Sequence, residues 1–170
     1  MRVSFLGGGN MAAALIGGMV KRGFSAAAIQ VVELVPEARA RLTGQFGVRC
    51  AAVADDSALA CDVLVLSVKP QQLREALLPL AGRLEGQLVV SIAAAVRVAD
   101  IARWLGGYRH IVRAMPNMPA LVGAGIAGLC ADASVGREER EIADSVLAAV
   151  GDTVWIDDES QMDAVTAISG

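Results

Sequence analysis

The sequence predicts an α/β fold, a doubly wound and mainly parallel sheet with helices on both faces, and three observations carry that prediction. Short β-rich apolar runs alternate with amphipathic stretches, the pattern of chained βαβ units. The 170 residues are 55% hydrophobic but only 4% aromatic, so the core must be built from Ala, Val, Leu and Ile, as in buried parallel strands under alanine-rich helices. The first apolar run passes directly into Gly7-Gly8-Gly9 and then a helical stretch, the strand, turn and helix order of a Rossmann-type unit.

Taken in order, Val3 to Leu6 reads as a strand and Met11 to Arg22 as a helix. Ile29 to Glu33 is the second strand, followed by a helix from Pro36 to Phe46, where the proline sits at a position whose missing N–H costs nothing. Val48 to Cys50, a short helical Ser57 to Ala60 and the wholly apolar strand Val63 to Val68 come next. Pro70 opens a helix expected over Gln71 to Leu84, and Leu88 to Ile92 is the fifth strand. A helix from Val98 to Leu105 carries Asp100 in its first turn and stops at Gly106-Gly107, residues that tolerate positive φ. His110 to Ala114, Ile126 to Cys130 and Thr153 to Ile156 are further strands, and Gly151 is expected to end a helix from Arg137 to Val150.

Ligands of such sheets bind beyond the carboxyl ends of the strands, where the strand order reverses. Gly7 permits a tight turn, Gly9 has no Cβ to hold a phosphate away from the backbone, and Ala12 lets helix and strand pack closely. The amides of Gly8, Asn10 and Met11 complete a corner suited to a dinucleotide diphosphate, which the first helical turn and its dipole favour. Glu33, at the end of the second strand, suits the hydroxyls of an adenosine ribose and repels a 2′-phosphate, which favours NADH over NADPH; a solvated loop charge is the alternative. Arg39 and Arg41 keep NADPH open. Ser67 and Val68 end the fourth strand and Lys69 and Pro70 follow it, while Ile92 ends the fifth and Ala93 and Ala94 follow with side chains small enough to admit a flat ring. Asn117, between Pro116 and Pro119, is either a substrate contact or part of a rigid turn.

Several classes are excluded by composition. A net charge of −3, with no basic run longer than Lys21-Arg22, argues against nucleic acid. No apolar stretch reaches the roughly 20 residues needed to span a bilayer. Arg2 and the apolar residues after it could be mistaken for a secretory leader, but Gly7 to Asn10 interrupt the run and Lys21-Arg22 lie on its wrong side. A cytoplasmic protein is expected. Cys50, Cys61 and Cys130 are odd in number and apolar in setting, so buried thiols are expected, and the lone His110 at a strand edge is read as structural. No metal site is visible.

The stretches Phe5-Leu6-Gly7-Gly8-Gly9-Asn10-Met11-Ala12, Val68-Lys69-Pro70-Gln71, Ser91-Ile92-Ala93-Ala94 and Met115-Pro116-Asn117-Met118-Pro119, with Asp163 to Gly170 at the end, together resemble pyrroline-5-carboxylate reductase. The resemblance runs over the whole chain. It implies an NAD(P)H-dependent oxidoreductase that reduces the imine 1-pyrroline-5-carboxylate to proline, the last step of proline biosynthesis. It also implies a domain boundary: residues 1–158 bind the dinucleotide, and 159–170 begin the helix leading into a helical domain that makes a homodimer or higher oligomer and supplies the catalytic and most substrate contacts. The chain alone is then expected to bind nucleotide without turnover.

Three positions depart from the family pattern. Ala95 stands for a usual glycine, Met118 for a usual threonine, and Glu33 where many members carry residues suited to NADPH. A related β-hydroxyacid or 6-phosphogluconate type dehydrogenase is the alternative enzyme, although Ala93-Ala94-Ala95 lacks the polar motif a hydroxyl substrate would need there. A non-catalytic dinucleotide-binding module is the alternative outside catalysis.

Overall fold

The strand order β3-β2-β1-β4-β5-β6-β7-β8 of one eight-stranded sheet organises the chain. In the computed structural model, which describes residues 1–162, these strands are β1 (Val3–Leu6), β2 (Ile29–Val32), β3 (Arg49–Ala51), β4 (Val63–Leu66), β5 (Leu88–Ser91), β6 (Ile111–Pro116), β7 (Gly125–Ala131) and β8 (Gly151–Trp155). The helices are α1 (Asn10–Lys21), α2 (Pro36–Phe46), α3 (Asp56–Leu59), α4 (Pro70–Leu77), α5 (Val98–Trp104) and α6 (Arg137–Leu147). The expected motif from Asp163 to Gly170 lies outside the described residues.

Alternation along the strands sends side chains to two cores. Val3 and Phe5, Val63 and Val65, and Val112 and Ala114 pack beneath α1, α2 and α6. Leu6, Leu64 and Leu66, Val89 and Ile111 pack beneath α3, α4 and α5. Strands β1, β2, β4, β5 and β6 are buried along their whole lengths, as their mainly apolar sequences favour, and Ser4, Gln30, Ser91 and Arg113 are the polar residues buried within them.

The chain leaves β1 toward β2 and returns from β3 to place β4 on the other side of β1. The carboxyl ends of β1 and β4 therefore flank the point where the winding reverses, and the crevice there is where a ligand of this architecture binds. Strand β7 runs antiparallel to β6, because a 3-10 turn at Met118–Val122, too short for a crossover, joins them; α6 then restores a parallel β8.

The expected elements are all present, with shifted ends. Strand β2 closes at Val32, so Glu33 is the first residue beyond it, and β4 closes at Leu66 rather than Val68. Helix α4 ends at Leu77 and gives way to a 3-10 turn at Leu78–Leu80, since Pro79 has no N–H to continue the ladder. Helix α6 ends at Leu147, and Gly151 does not terminate it. Gly151 instead opens β8 at φ 151°, where a Cβ would collide with the carbonyl of Gly125 on β7. Cys61 and Cys130 are buried thiols, whereas Cys50 is only half-buried. His110 precedes β6 and pairs through Nδ1 with Glu139 of α6 at 2.6 Å, a structural contact.

Candidate dinucleotide site at the carboxyl edge

Gly7 sits at φ 104°, and a Cβ there would lie 2.8 Å from the Val68 amide nitrogen, so the turn leaving β1 requires glycine. Its N–H donates to Val32 O at 2.8 Å, tying the turn to β2. The Ser67 hydroxyl, within 3.1 Å of Leu6 O and 2.9 Å of Gly7 O, ties the same turn to the end of β4. Gly8 is closed in: a Cβ would come within 2.6 Å of Leu42 Cδ1.

Gly9 differs from both. It is exposed, its φ of −69° is open to any residue, and a Cβ on it would meet nothing within 4 Å. It is the N-cap of α1 and makes no side-chain capping bond, while the first helical bond closes only at Ala13 N to Gly9 O, 2.9 Å. The opening amides of α1, at Asn10, Met11 and Ala12, thus lack a partner from the helix ladder beside open space. A dinucleotide diphosphate fits this corner: two anionic groups meet uncapped N–H donors and a positive dipole end, and the one side chain that would obstruct them is missing.

Glu33 reaches into the corner from the end of β2. Its Oε2 accepts the Gly8 N–H at 2.8 Å, and its Oε1 accepts the Val35 N–H at 2.9 Å. Arg39 donates through Nη1 to the carbonyls of Glu33 and Leu34 at 2.7 and 2.8 Å, and Arg41 Nη2 approaches Gly8 O at 3.4 Å. The acid is therefore part of the turn's own bonding, a role its sequence position alone does not disclose. Exposed Leu34, Val35 and Val53 lie just beyond β2 and β3, where Glu33 N bonds Ala51 O at 2.9 Å.

Further along the edge, Val68 is half-buried and exposed Lys69 is the N-cap of α4, with Pro70 at the helix's first position. Ile92 N donates to Leu66 O at 3.0 Å, and Ala93 N to Ser91 Oγ at 3.3 Å, so the loop after β5 starts alongside the end of β4. Ala93 is buried, Ala94 half-buried, and exposed Ala95 stands at φ 59°, the left-handed region. Asn117 does not project freely: its Oδ1 accepts the Ile126 N–H at 3.0 Å, fixing the start of β7. Two residues were missed in the sequence. Arg113 of β6, 1% exposed, donates to Glu159 at 3.1 Å; the signal was an arginine inside an otherwise apolar strand.

The fold therefore gathers Gly7 to Ala12, Glu33, Ser67 to Pro70 and Ile92 to Ala94 along one edge, on the ends of adjoining strands. No group of His, Cys, Asp and Glu among the described residues could hold a metal ion, and no helix among them is long and apolar enough to cross a membrane.

A family model described as "NADP oxidoreductase coenzyme F420-dependent" matches residues 2–95. The chain is similar to pyrroline-5-carboxylate reductase of Pseudomonas aeruginosa, 45% identical over 170 residues that cover 99% of this chain and 62% of that protein. It is also similar to the Haemophilus influenzae protein of the same name, 41% identical over 169 residues with the same two coverages, 99% and 62%. Among solved structures, a pyrroline-5-carboxylate reductase from Coxiella burnetii superposes with a TM-score of 0.94 at 35% identity, covering 99% of this chain and 63% of that one. A Plasmodium falciparum pyrroline carboxylate reductase with NADP bound shares the fold at a TM-score of 0.87 and 24% identity, over 100% of this chain and 62% of that one. The chain thus spans 62% of the length of the curated relatives it matches first.

Proposed function

The chain belongs to the NADP oxidoreductase coenzyme F420-dependent family, and from that premise we propose that it is the dinucleotide-binding part of a pyrroline-5-carboxylate reductase. The observation that carries the reading is the open space over Gly9 beside the uncapped start of α1, at the switch point between β1 and β4. The names and identities of the reductases it matches along nearly its whole length support the substrate.

When bound, a reduced nicotinamide dinucleotide would supply the hydride to the C=N carbon of 1-pyrroline-5-carboxylate and be left oxidised, and a proton taken up at the nitrogen completes proline. The chain's own contribution is placement. The amides of Asn10, Met11 and Ala12 receive the diphosphate over Gly9, Gly8 shapes the turn beneath it, and Leu34, Val35 and Val53 offer apolar surface beside the adenosine end. Ser67 to Pro70 border the middle of the cleft. Ile92, Ala93 and Ala94 give the ring a floor of small groups, and Asn117 borders the substrate side. On this reading residues 1–158 form the cofactor domain. Residues from 159 enter a helical domain that makes the oligomer and completes the substrate pocket, and the protein works in the cytoplasm.

Glu33 favours NADH. Its carboxylate stands at the end of β2, beside the adenosine ribose on this reading, where it would repel a 2′-phosphate, and Arg39 is committed to the carbonyls of Glu33 and Leu34. Titrating the chain with NADH and NADPH side by side tests this: NADH is expected to bind tighter, and equal or tighter NADPH binding defeats it. The substrate is tested by giving the longer protein that contains this chain 1-pyrroline-5-carboxylate with either reduced cofactor. Consumption of cofactor with formation of proline is expected, and no oxidation of either cofactor sinks the assignment.

A further inference from the structure

Arg113 is the one charged residue in the buried class among the described residues. Burying a guanidinium in a central strand is costly unless its partners are well placed, so what it holds matters. Its Nη1 donates to Glu159 Oε1, and the same oxygen accepts the Val98 N–H at 2.8 Å. Val98 is the first residue of α5, where an acid also complements the helix dipole. One carboxylate thus joins β6, the start of α5 and the segment after β8.

Those contacts bracket the loop from Ile92 to Arg97. Its head is tied by Ser91, wholly buried and paired in register with Arg113, whose Oγ accepts the Ala93 N–H. Its middle is seated where Ala94 packs on Met115, Cys130 and Met162. Its tail is tied by Glu159 at Val98. Between these ties lies exposed Ala95 at φ 59°, the left-handed region. Strained backbone persists only where the surroundings over-determine it.

We propose that Arg113 and Glu159 are positioning residues: together they hold the Ala93–Ala94 floor in the shape that receives the nicotinamide ring. The inference rests on the reading of this edge as the ring end of a dinucleotide site. Neither side chain touches the ring; both act through the loop.

The test uses the 170-residue chain and two matched ligand pairs. NADH is compared with ADP-ribose, and NADPH with 2′-phospho-ADP-ribose, so that each pair differs by the nicotinamide. Glu159→Ala is expected to weaken the dinucleotide about tenfold, as a broken local network does. It should also abolish the change in nicotinamide fluorescence on binding while leaving the ring-free ligand within about twofold. Glu159→Gln, which keeps an acceptor for both donors, should restore most of the loss. Arg113→Met should repeat the effect; if it fails to fold, the Glu159 pair carries the test alone. Equal weakening of both members of a pair, or no weakening of either, overturns the proposal. A native chain that binds neither ligand instead overturns the dinucleotide reading beneath it, and this inference with it.

Discussion

Replacing Gly9 with alanine separates binding from folding. At φ −69° and ψ −174° the backbone accepts any residue, and the new Cβ would meet nothing within 4 Å. Stability without ligand should stay within about 1 kcal/mol of native, because the roughly 0.4–1 kcal/mol gained from fewer unfolded conformations opposes the roughly 1 kcal/mol that alanine costs at the N-cap of α1. The methyl would stand where the diphosphate approaches the α1 amides. Forcing one extra carbon into a fitted contact costs about 1–3 kcal/mol. At tenfold per 1.4 kcal/mol, that is about 5- to 150-fold in affinity. Nicotinamide fluorescence titration gives the affinity, and a melting curve on the ligand-free protein gives the stability. Native affinity in Gly9→Ala would refute the account, as would a melting point several degrees below native, since the first denies the phosphate contact and the second denies the open space.

Three other substitutions test different parts of the structure. Gly18→Ala should destabilise: a Cβ there would be driven into the carbonyl of Ala149, and clash less the gain in helix propensity leaves a loss of about 2 kcal/mol, some 4–8 °C in Tm; an unchanged Tm contradicts this packing. Ala95→Gly should raise Tm slightly, because relief of about 1–2 kcal/mol of left-handed strain exceeds the roughly 0.4–1 kcal/mol of added unfolded-chain entropy; a lower Tm would show that the methyl contributes to folding. Burial alone would raise the Asp132 carboxyl, but the Ser134 amide and the Arg109 guanidinium outweigh it and hold it below the usual carboxylate range. A lowered folded pKa contributes stability above the unfolded value of about 3.9 and loses it as pH falls through the folded value. Asp132→Asn should therefore be less stable than native at neutral pH, with the two denaturation curves converging in acid; a gap that persists there refutes the linkage.

The order of strands and helices was legible because each carries a local signal: an unbroken apolar run for a buried strand, Pro36 and Pro70 at first helical positions, Gly106 and Gly107 after a helix. The glycine corner was legible for the same reason, since its chemistry is contiguous from Leu6 to Ala12. What could not be read depends on partners distant in sequence. Gly151 looks like a helix stop until Gly125, on the neighbouring strand, is seen against it. Arg113 and Glu159 are 46 residues apart, and Glu33 bonds Gly8 across 25. The reversal of β7 follows from the shortness of the turn at Met118–Val122, which two prolines and an asparagine suggested only as a stiff loop.

The central claim is that the amides at the start of α1 hold a dinucleotide diphosphate, and amide chemical shifts during a titration with NADH or NADPH test it most directly. The largest shifts should fall on Gly8, Gly9, Asn10, Met11 and Ala12, with smaller ones at Ile92 to Ala94. A saturable response centred elsewhere, with the Gly8 to Ala12 amides unmoved, would contradict the account.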